Sequence, residues 1–288
     1  MNKKLKKILI GDLSWRRLGK SIISVFIFTY LGLMFLGYFL SDKMMFPVPA
    51  SSYADDANIA KLALDDGTKI STRFYQITNP DFYIIYSHGN GVDLGIIDGH
   101  IRRSSEILKS SILTYDYPGY GTSEGKPSEK SIFAAADKTY AYLKSKGVKD
   151  NQIIIWGRSV GSGAATYLAN RYPVAGLILE SPFKSAFTVV TKIPIMPFDR
   201  FANYAIIDKI NCPLLVLHGT DDHVIPFNHG KALYDAAKEP KSKLWINGAG
   251  HNNLGYIAGE NYWNAIREYL NSIKSANLTI TKIEKTGE

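Results

Sequence analysis

Residues 21–40 read SIISVFIFTYLGLMFLGYFL, a stretch with no charged side chain. A helix rising ~1.5 Å per residue over that length spans about 30 Å, the thickness of a bilayer's hydrocarbon core. Beyond it the hydrophobic positions break into short runs. Residues 59–64, 70–75, 82–87, 111–115, 152–156, 174–179, 213–217 and 243–246 predict eight strands. Several are β-branched and apolar and are bounded by Gly, Pro or Asp, as expected of parallel strands buried on both faces. Between them, 98–109, 128–146, 160–171, 229–238 and 260–275 predict helices. This alternation predicts an α/β domain, a mostly parallel eight-stranded sheet with helices on both faces. Asp65-Asp66-Gly67 joins the first two strands as a hairpin signal, so the sheet begins antiparallel.

The organisation that follows is a basic N-terminus over 1–20, a transmembrane helix over 21–40 and a linker over 41–57 containing Pro47, Pro49, Ser51 and Ser52. A globular domain occupies 58–275 and a tail 276–288. The net charge of +8 suggests a nucleic-acid binder until its distribution is read. Residues 1–43 hold eight basic side chains against two acidic ones, leaving 26 basic and 24 acidic in the remainder. The excess therefore flanks the apolar span, and no nucleic-acid partner is expected. The positive-inside rule places Met1 in the cytoplasm and the domain across the membrane, in a periplasm or lumen. A cleaved signal peptide is the rival reading, and a buried or interfacial helix the next. A signal peptide would have an apolar core of about 7–15 residues before a small-residue cleavage site. Here the run is longer, and Val48-Pro49-Ala50 is a poor cleavage site. With 45% hydrophobic residues the chain can bury a real core. Its single cysteine, Cys212, excludes an intramolecular disulfide, and no Cys/His cluster has zinc-ligand spacing.

Gly157-Arg158-Ser159-Val160-Gly161 follows the predicted strand IIIW and opens a predicted helix. Strand, G-x-S-x-G, helix is the context in which a serine stands at the apex of a sharp turn as a nucleophile. A serine hydroxyl needs a base. His251 lies in the glycine-rich NGAGH loop directly after a strand, where an imidazole can reach back over the sheet. His229, at the start of a predicted helix, reads as a solvated first-turn side chain, and His223 faces elsewhere. The base needs an acid to orient it. Asp222, Asp221 and Glu180 all follow strand ends, and the residues alone leave the three open. Two backbone N–H groups must face the developing oxyanion. Val160 supplies one, and the SHGNG loop over 87–91 supplies the other, from Asn90 or less favourably Gly91. His88 reads as a structural brace for that loop.

Four segments in order carry a resemblance: SHGNG, DYPGYGTS, GRSVGSG, and HGTDDHVIP followed by GAGH. Together they resemble the α/β-hydrolase superfamily over about residues 58–275, and within it the membrane-associated α/β-hydrolase-domain proteins that include protein depalmitoylases. The resemblance implies an α/β-hydrolase fold and a serine hydrolase acting through an acyl-enzyme. The family's H-G-x-x-D pattern puts the acid at Asp222, giving Ser159, Asp222 and His251 with Asn90 and Val160. It implies no metal or organic cofactor and gives the DYPGYGTS loop a structural role. The depalmitoylases attach through acylated N-terminal cysteines, which this chain lacks, so their substrate does not carry over.

Residues 182–210 form an insert at the face where these residues gather. Phe183, Phe187, Ile193, Ile195, Met196, Phe198 and Phe201 suggest a small lid lining an apolar pocket. The expected activity is hydrolysis of a carboxylic ester or thioester in a small-molecule or acylated substrate, with membrane lipid met through the N-terminal helix. A serine peptidase of the same fold and a non-catalytic membrane interaction protein are the alternatives.

Overall fold

The computed structural model describes residues 15–191 and 197–286. The chain divides into two units, Met1–Met45 and Phe46–Glu288. In the first, α1 runs Trp15–Met45, longer at both ends than the uncharged stretch. It is long and apolar enough to cross a membrane, and none of its most apolar stretch is buried. Phe26 and Phe28 are about three-quarters exposed, which a core helix of a soluble domain would not tolerate.

The second unit contains eight strands: β1 (Ile59–Ala63), β2 (Lys69–Tyr75), β3 (Tyr83–Ser87), β4 (Ser111–Tyr115), β5 (Ile153–Arg158), β6 (Gly176–Glu180), β7 (Leu214–Gly219) and β8 (Lys241–Ile246). They form one sheet in the order β1-β2-β4-β3-β5-β6-β7-β8. β1 and β2 make the antiparallel hairpin turned by Asp65-Asp66-Gly67, and β2 also pairs antiparallel with β4. All other neighbours are parallel. The central strands are buried along their whole length, which is why they read as unbroken apolar runs.

The helices of this unit are α2 (Leu94–Leu108), α3 (Glu129–Ser145), α4 (Gly161–Arg171), α5 (Ala186–Thr191), α6 (Asn228–Ala236), α7 (Leu254–Ala258) and α8 (Glu260–Thr286). α2 and α8 cover one face, where Ile97, Ile101, Ile266 and Tyr269 bury against Tyr86, Trp156, Ile178 and Leu215. α3 and α4 pack together on the sheet. α3 opens with a capping box in which Ser128 Oγ accepts from Ser131 N and Ser131 Oγ accepts from Ser128 N. α2 begins four residues before the predicted 98, because Asp93 caps it and accepts from Ile96 N at 3.1 Å. α8 continues through much of the expected tail.

The sheet order fixes where chemistry can occur. β3 sits centrally, with β4 on one side and β5 on the other, so the connections leaving β3 and β5 run to opposite sides and open a crevice beyond their carboxyl ends. The register places Ser87 beside Gly157, Arg158 beside Glu180, and Gly219 beside Ile246. The loops after β3, β5, β6, β7 and β8 therefore emerge along one edge.

Candidate active site

Ser159 stands at the turn from β5 into α4 with φ of +52°, a region costly for a residue with a Cβ. The turn is tight enough to dictate its neighbours. A Cβ on Gly157 would overlap the Gly161 carbonyl and the Ala165 methyl, and one on Gly161 would overlap the Ser87 carbonyl oxygen. Both flanking glycines of G-x-S-x-G are thus required by close backbone approach.

His251 and Asp222 meet this serine. Ser159 Oγ lies 3.0 Å from His251 Nε2, and His251 Nδ1 lies 2.7 Å from Asp222 Oδ2. An ionised carboxylate only accepts, so Nδ1 carries the proton and donates to it, leaving Nε2 to accept from the serine hydroxyl. Asp222 is buried. Burial alone would raise its pKa, but His218, His251 and the Ile225 N–H outweigh it and hold the carboxyl well below the usual range. Val224 N and Ile225 N donate to Asp222 Oδ1 at 2.9 and 2.8 Å. The acid is therefore ionised and fixed in place.

The rival acids are elsewhere. Asp221 is exposed and accepts from the Thr220 hydroxyl. Glu180 is buried but faces Arg158, whose Nε donates to Glu180 Oε1 at 3.2 Å, while the Tyr262 hydroxyl donates to Oε2 at 2.8 Å. Arg158 also donates to the His251 carbonyl at 3.1 Å and to Asn252 Oδ1 at 2.8 Å. This arginine, inside the serine motif, ties the loop carrying His251 to β5 and β6, a connection that the motif alone did not reveal. His218, also missed, lies beneath the acid: its Nε2 donates to the Ile225 carbonyl at 2.9 Å and is 3.5 Å from Asp222 Oδ2. Its place directly before the glycine of HGTDD was the available signal.

His223 is exposed. His229 departs from expectation. It is buried and accepts from the Lys184 N–H at 3.2 Å, and burial, with Lys184 and His218 nearby, pushes its pKa down to about 4. It packs under the insert because α6 lies along the insert's base.

The loop after β3 abuts the serine: a Cβ on Gly89 would lie 3.6 Å from Ser159 Cβ. Asn90 follows it and Val160 follows Ser159, so both expected oxyanion donors belong to backbone bordering the serine. His88 is fully buried, with Nδ1 donating to the Gly89 carbonyl at 2.8 Å, the bracing role expected of it. The 116–120 loop supports this one from behind. The Tyr117 hydroxyl donates to the His88 carbonyl and the Tyr120 hydroxyl to Asn90 Oδ1, each at 2.5 Å.

The insert over 182–210 corrects part of the lid reading. Phe183 and Phe201 are buried packing residues. Phe201 meets Phe183, Phe133 and Phe46 edge-on. Phe187 and Phe198 are half-buried against each other, while Ile193, Ile195 and Met196 lie outside the described residues. Among the described residues, no group of three or more His, Cys, Asp and Glu side chains is placed to hold a metal ion.

Comparison with known proteins agrees with the fold. Residues 68–172 match the family described as Chlamydia CHLPS protein (DUF818). The chain is 39% identical over 193 residues to alpha/beta hydrolase domain-containing protein 17B of Xenopus tropicalis, covering 65% of this chain and 67% of that protein. The human protein 17B is 38% identical over the same coverage. The esterase Pf2001 of Pyrococcus furiosus superposes with a TM-score of 0.64 at 18% identity, over 79% of this chain and 98% of its own, a likeness of fold. With its eight-stranded sheet and its similarity to the 17B proteins, the chain belongs to the alpha/beta hydrolase domain-containing family.

Proposed function

We propose that this chain is a serine hydrolase that cleaves carboxylic ester or thioester bonds, held at a membrane by α1. The observation that carries the reading is the continuous hydrogen-bonded line from Ser159 Oγ through His251 to Asp222. Ser159 Oγ attacks the acyl carbon while His251 Nε2 takes its proton. Asp222 holds the ring in the required tautomer and stabilises its charged form. The Asn90 and Val160 N–H groups receive the oxyanion. His251 then gives its proton to the departing alcohol or thiol, leaving an acyl group on Ser159. Water attacks that acyl-enzyme, with His251 again acting as base and then acid, and releases the carboxylic acid.

The eight basic residues against two acidic in 1–43 support a cytoplasmic N-terminus and a catalytic domain across the membrane. The half-buried Phe187 and Phe198 support an apolar acyl site, on a narrower basis than the whole insert. Each methylene buried there contributes about 0.8 kcal/mol, so chain length should register in kcat/KM. The experiment is kcat/KM of the detergent-solubilised protein across p-nitrophenyl esters, thioesters and aminoacyl amides. Rising values from acetyl to medium chains, with amides much slower, are expected. A falling profile removes the apolar acyl site, and faster amides replace the esterase with the peptidase.

A further inference from the structure

Besides Glu180 and Asp222, which already have assigned surroundings, the described residues bury two aspartates, Asp93 and Asp116. Both are fully buried, and both border the loop that abuts Ser159. Neither pairs with a lysine or arginine among the described residues; the nearest cationic candidate is His88 Nε2, 3.4 Å from Asp116 Oδ1. Their hydrogen bonds come from backbone and hydroxyl donors, and a large share comes from one short segment. Ser52 N donates to Asp93 Oδ2 at 2.7 Å, and the Ser52 hydroxyl donates to Asp93 Oδ1. The Tyr53 hydroxyl donates to Asp116 Oδ2 at 2.5 Å. Further donors are Ile96 N to Asp93 and Leu94 N to Asp116, at 3.1 and 3.0 Å, and the Gly95 N–H also supports Asp93.

These contacts are accommodated by residues far away in sequence. A Cβ on Gly95 would overlap Ser52 Oγ and lie 3.0 Å from Tyr53 Cβ. A Cβ on Gly121 would overlap Asp116 Oδ2 and lie 2.7 Å from the Tyr53 ring, and Gly121 has φ of +51°. Burial, followed by Asp116, pushes the Tyr53 phenol up to about 12, so it stays protonated and donates. Asp93 caps the helix that follows the Asn90 loop, and Asp116 holds the Leu94 N–H while its neighbours Tyr117 and Tyr120 hold His88 and Asn90. Removing the Ser52 or Tyr53 donor leaves a buried carboxylate short of a partner at the root of this loop, and a buried acceptor that loses its donor drives rearrangement.

We propose that Ser52 and Tyr53 are positioning residues of the active site: by satisfying Asp93 and Asp116 they fix the loop that presents the Asn90 N–H to the oxyanion. The segment between the apolar helix and the sheet is on this account part of the catalytic scaffold and more than a tether. The inference rests on the serine-hydrolase reading above. Because the oxyanion forms only as the reaction proceeds, loss of loop position should lower kcat and leave KM largely unchanged.

The test uses the full chain in detergent micelles, with p-nitrophenyl butyrate turnover, fluorophosphonate labelling rate and Tm for the wild type, Tyr53→Phe, Ser52→Ala and Ser52→Thr. Complete loss of one oxyanion donor costs about 10²–10³ in kcat, so misplacement should cost roughly tenfold in Tyr53→Phe and in Ser52→Ala. The labelling rate should fall in parallel, and Ser52→Thr, which keeps the hydroxyl, should stay near the wild type. Wild-type kcat and labelling in folded Tyr53→Phe and Ser52→Ala would overturn the inference, even with a lower Tm, because the segment would then only fasten the fold. Should Tyr53→Phe fail to fold, Ser52→Ala against Ser52→Thr decides alone. A wild-type protein that neither turns over nor labels would instead remove the serine-hydrolase reading itself.

Discussion

Ser159, His251 and Asp222 are held by different means, and this determines what each substitution should do. Ser159 is placed by backbone geometry, its positive φ enforced by flanking glycines that cannot bear a Cβ. Asp222 is placed by two backbone donors and His218. His251 is placed from its side chain by Asp222 and from its carbonyl by Arg158. Asp222→Asn preserves shape but withdraws the charge and the tautomer control, and a loss of about 10⁴ in kcat is expected. Asp221→Asn should be nearly silent, since that carboxylate is exposed and partnered by Thr220. Glu180→Gln should fall between them, because it weakens the Arg158 pair and so loosens the His251 loop. The measurement is kcat/KM for p-nitrophenyl butyrate in the three variants, with Tm as the check on folding. Equal losses at Asp221 and Asp222, or a dominant loss at Glu180, would contradict the assignment.

Among the elements, the strands were the most legible in the sequence. Runs such as IIIW and GLIL are β-branched or apolar throughout because both faces are covered, and Gly, Pro and Asp mark strand ends. The short helices α5 and α7 were not legible, since five or six residues carry too little periodicity to separate a helical turn from a loop. The insert was partly misread because an aromatic residue that lines a pocket and one that packs beneath it look alike in sequence; Phe201 is buried by Phe183 of the same insert and by Phe46 and Phe133, both distant along the chain. His229 was misread for the same reason, its burial depending on Lys184 in another element. That burial has a measurable consequence. The folded protein keeps His229 neutral down to about pH 4, whereas the unfolded chain protonates it near the ordinary 6.5. The unfolded state therefore takes up the extra proton first, so this site's contribution is full above pH 6.5 and is lost as pH falls toward 4. His229→Gln, which can still accept from Lys184, removes that titration. The Tm advantage of the wild type over the variant should shrink through this window, and a gap independent of pH would contradict the buried, neutral histidine.

For the whole molecule, the motifs marked the three residues that the structure brings into one hydrogen-bonded line, because each sits at a strand end with a recognisable turn. The support behind them was not legible. Tyr53 reaches Asp116 across 63 positions and Arg158 reaches Glu180 across 22, and no local pattern records such pairings. An apolar helix long enough to cross a membrane precedes a domain whose sheet gathers Ser159, His251 and Asp222 at one edge. The central claim is that Ser159 is the nucleophile in the anchored protein. The most direct measurement is to expose alkaline-washed membranes bearing the full chain to a fluorophosphonate and locate the adduct by peptide mass spectrometry. The account predicts a single adduct, on Ser159, retained in the washed membrane fraction and absent from folded Ser159→Ala, which should also lose turnover by several orders of magnitude. Undiminished labelling or turnover in folded Ser159→Ala would contradict it.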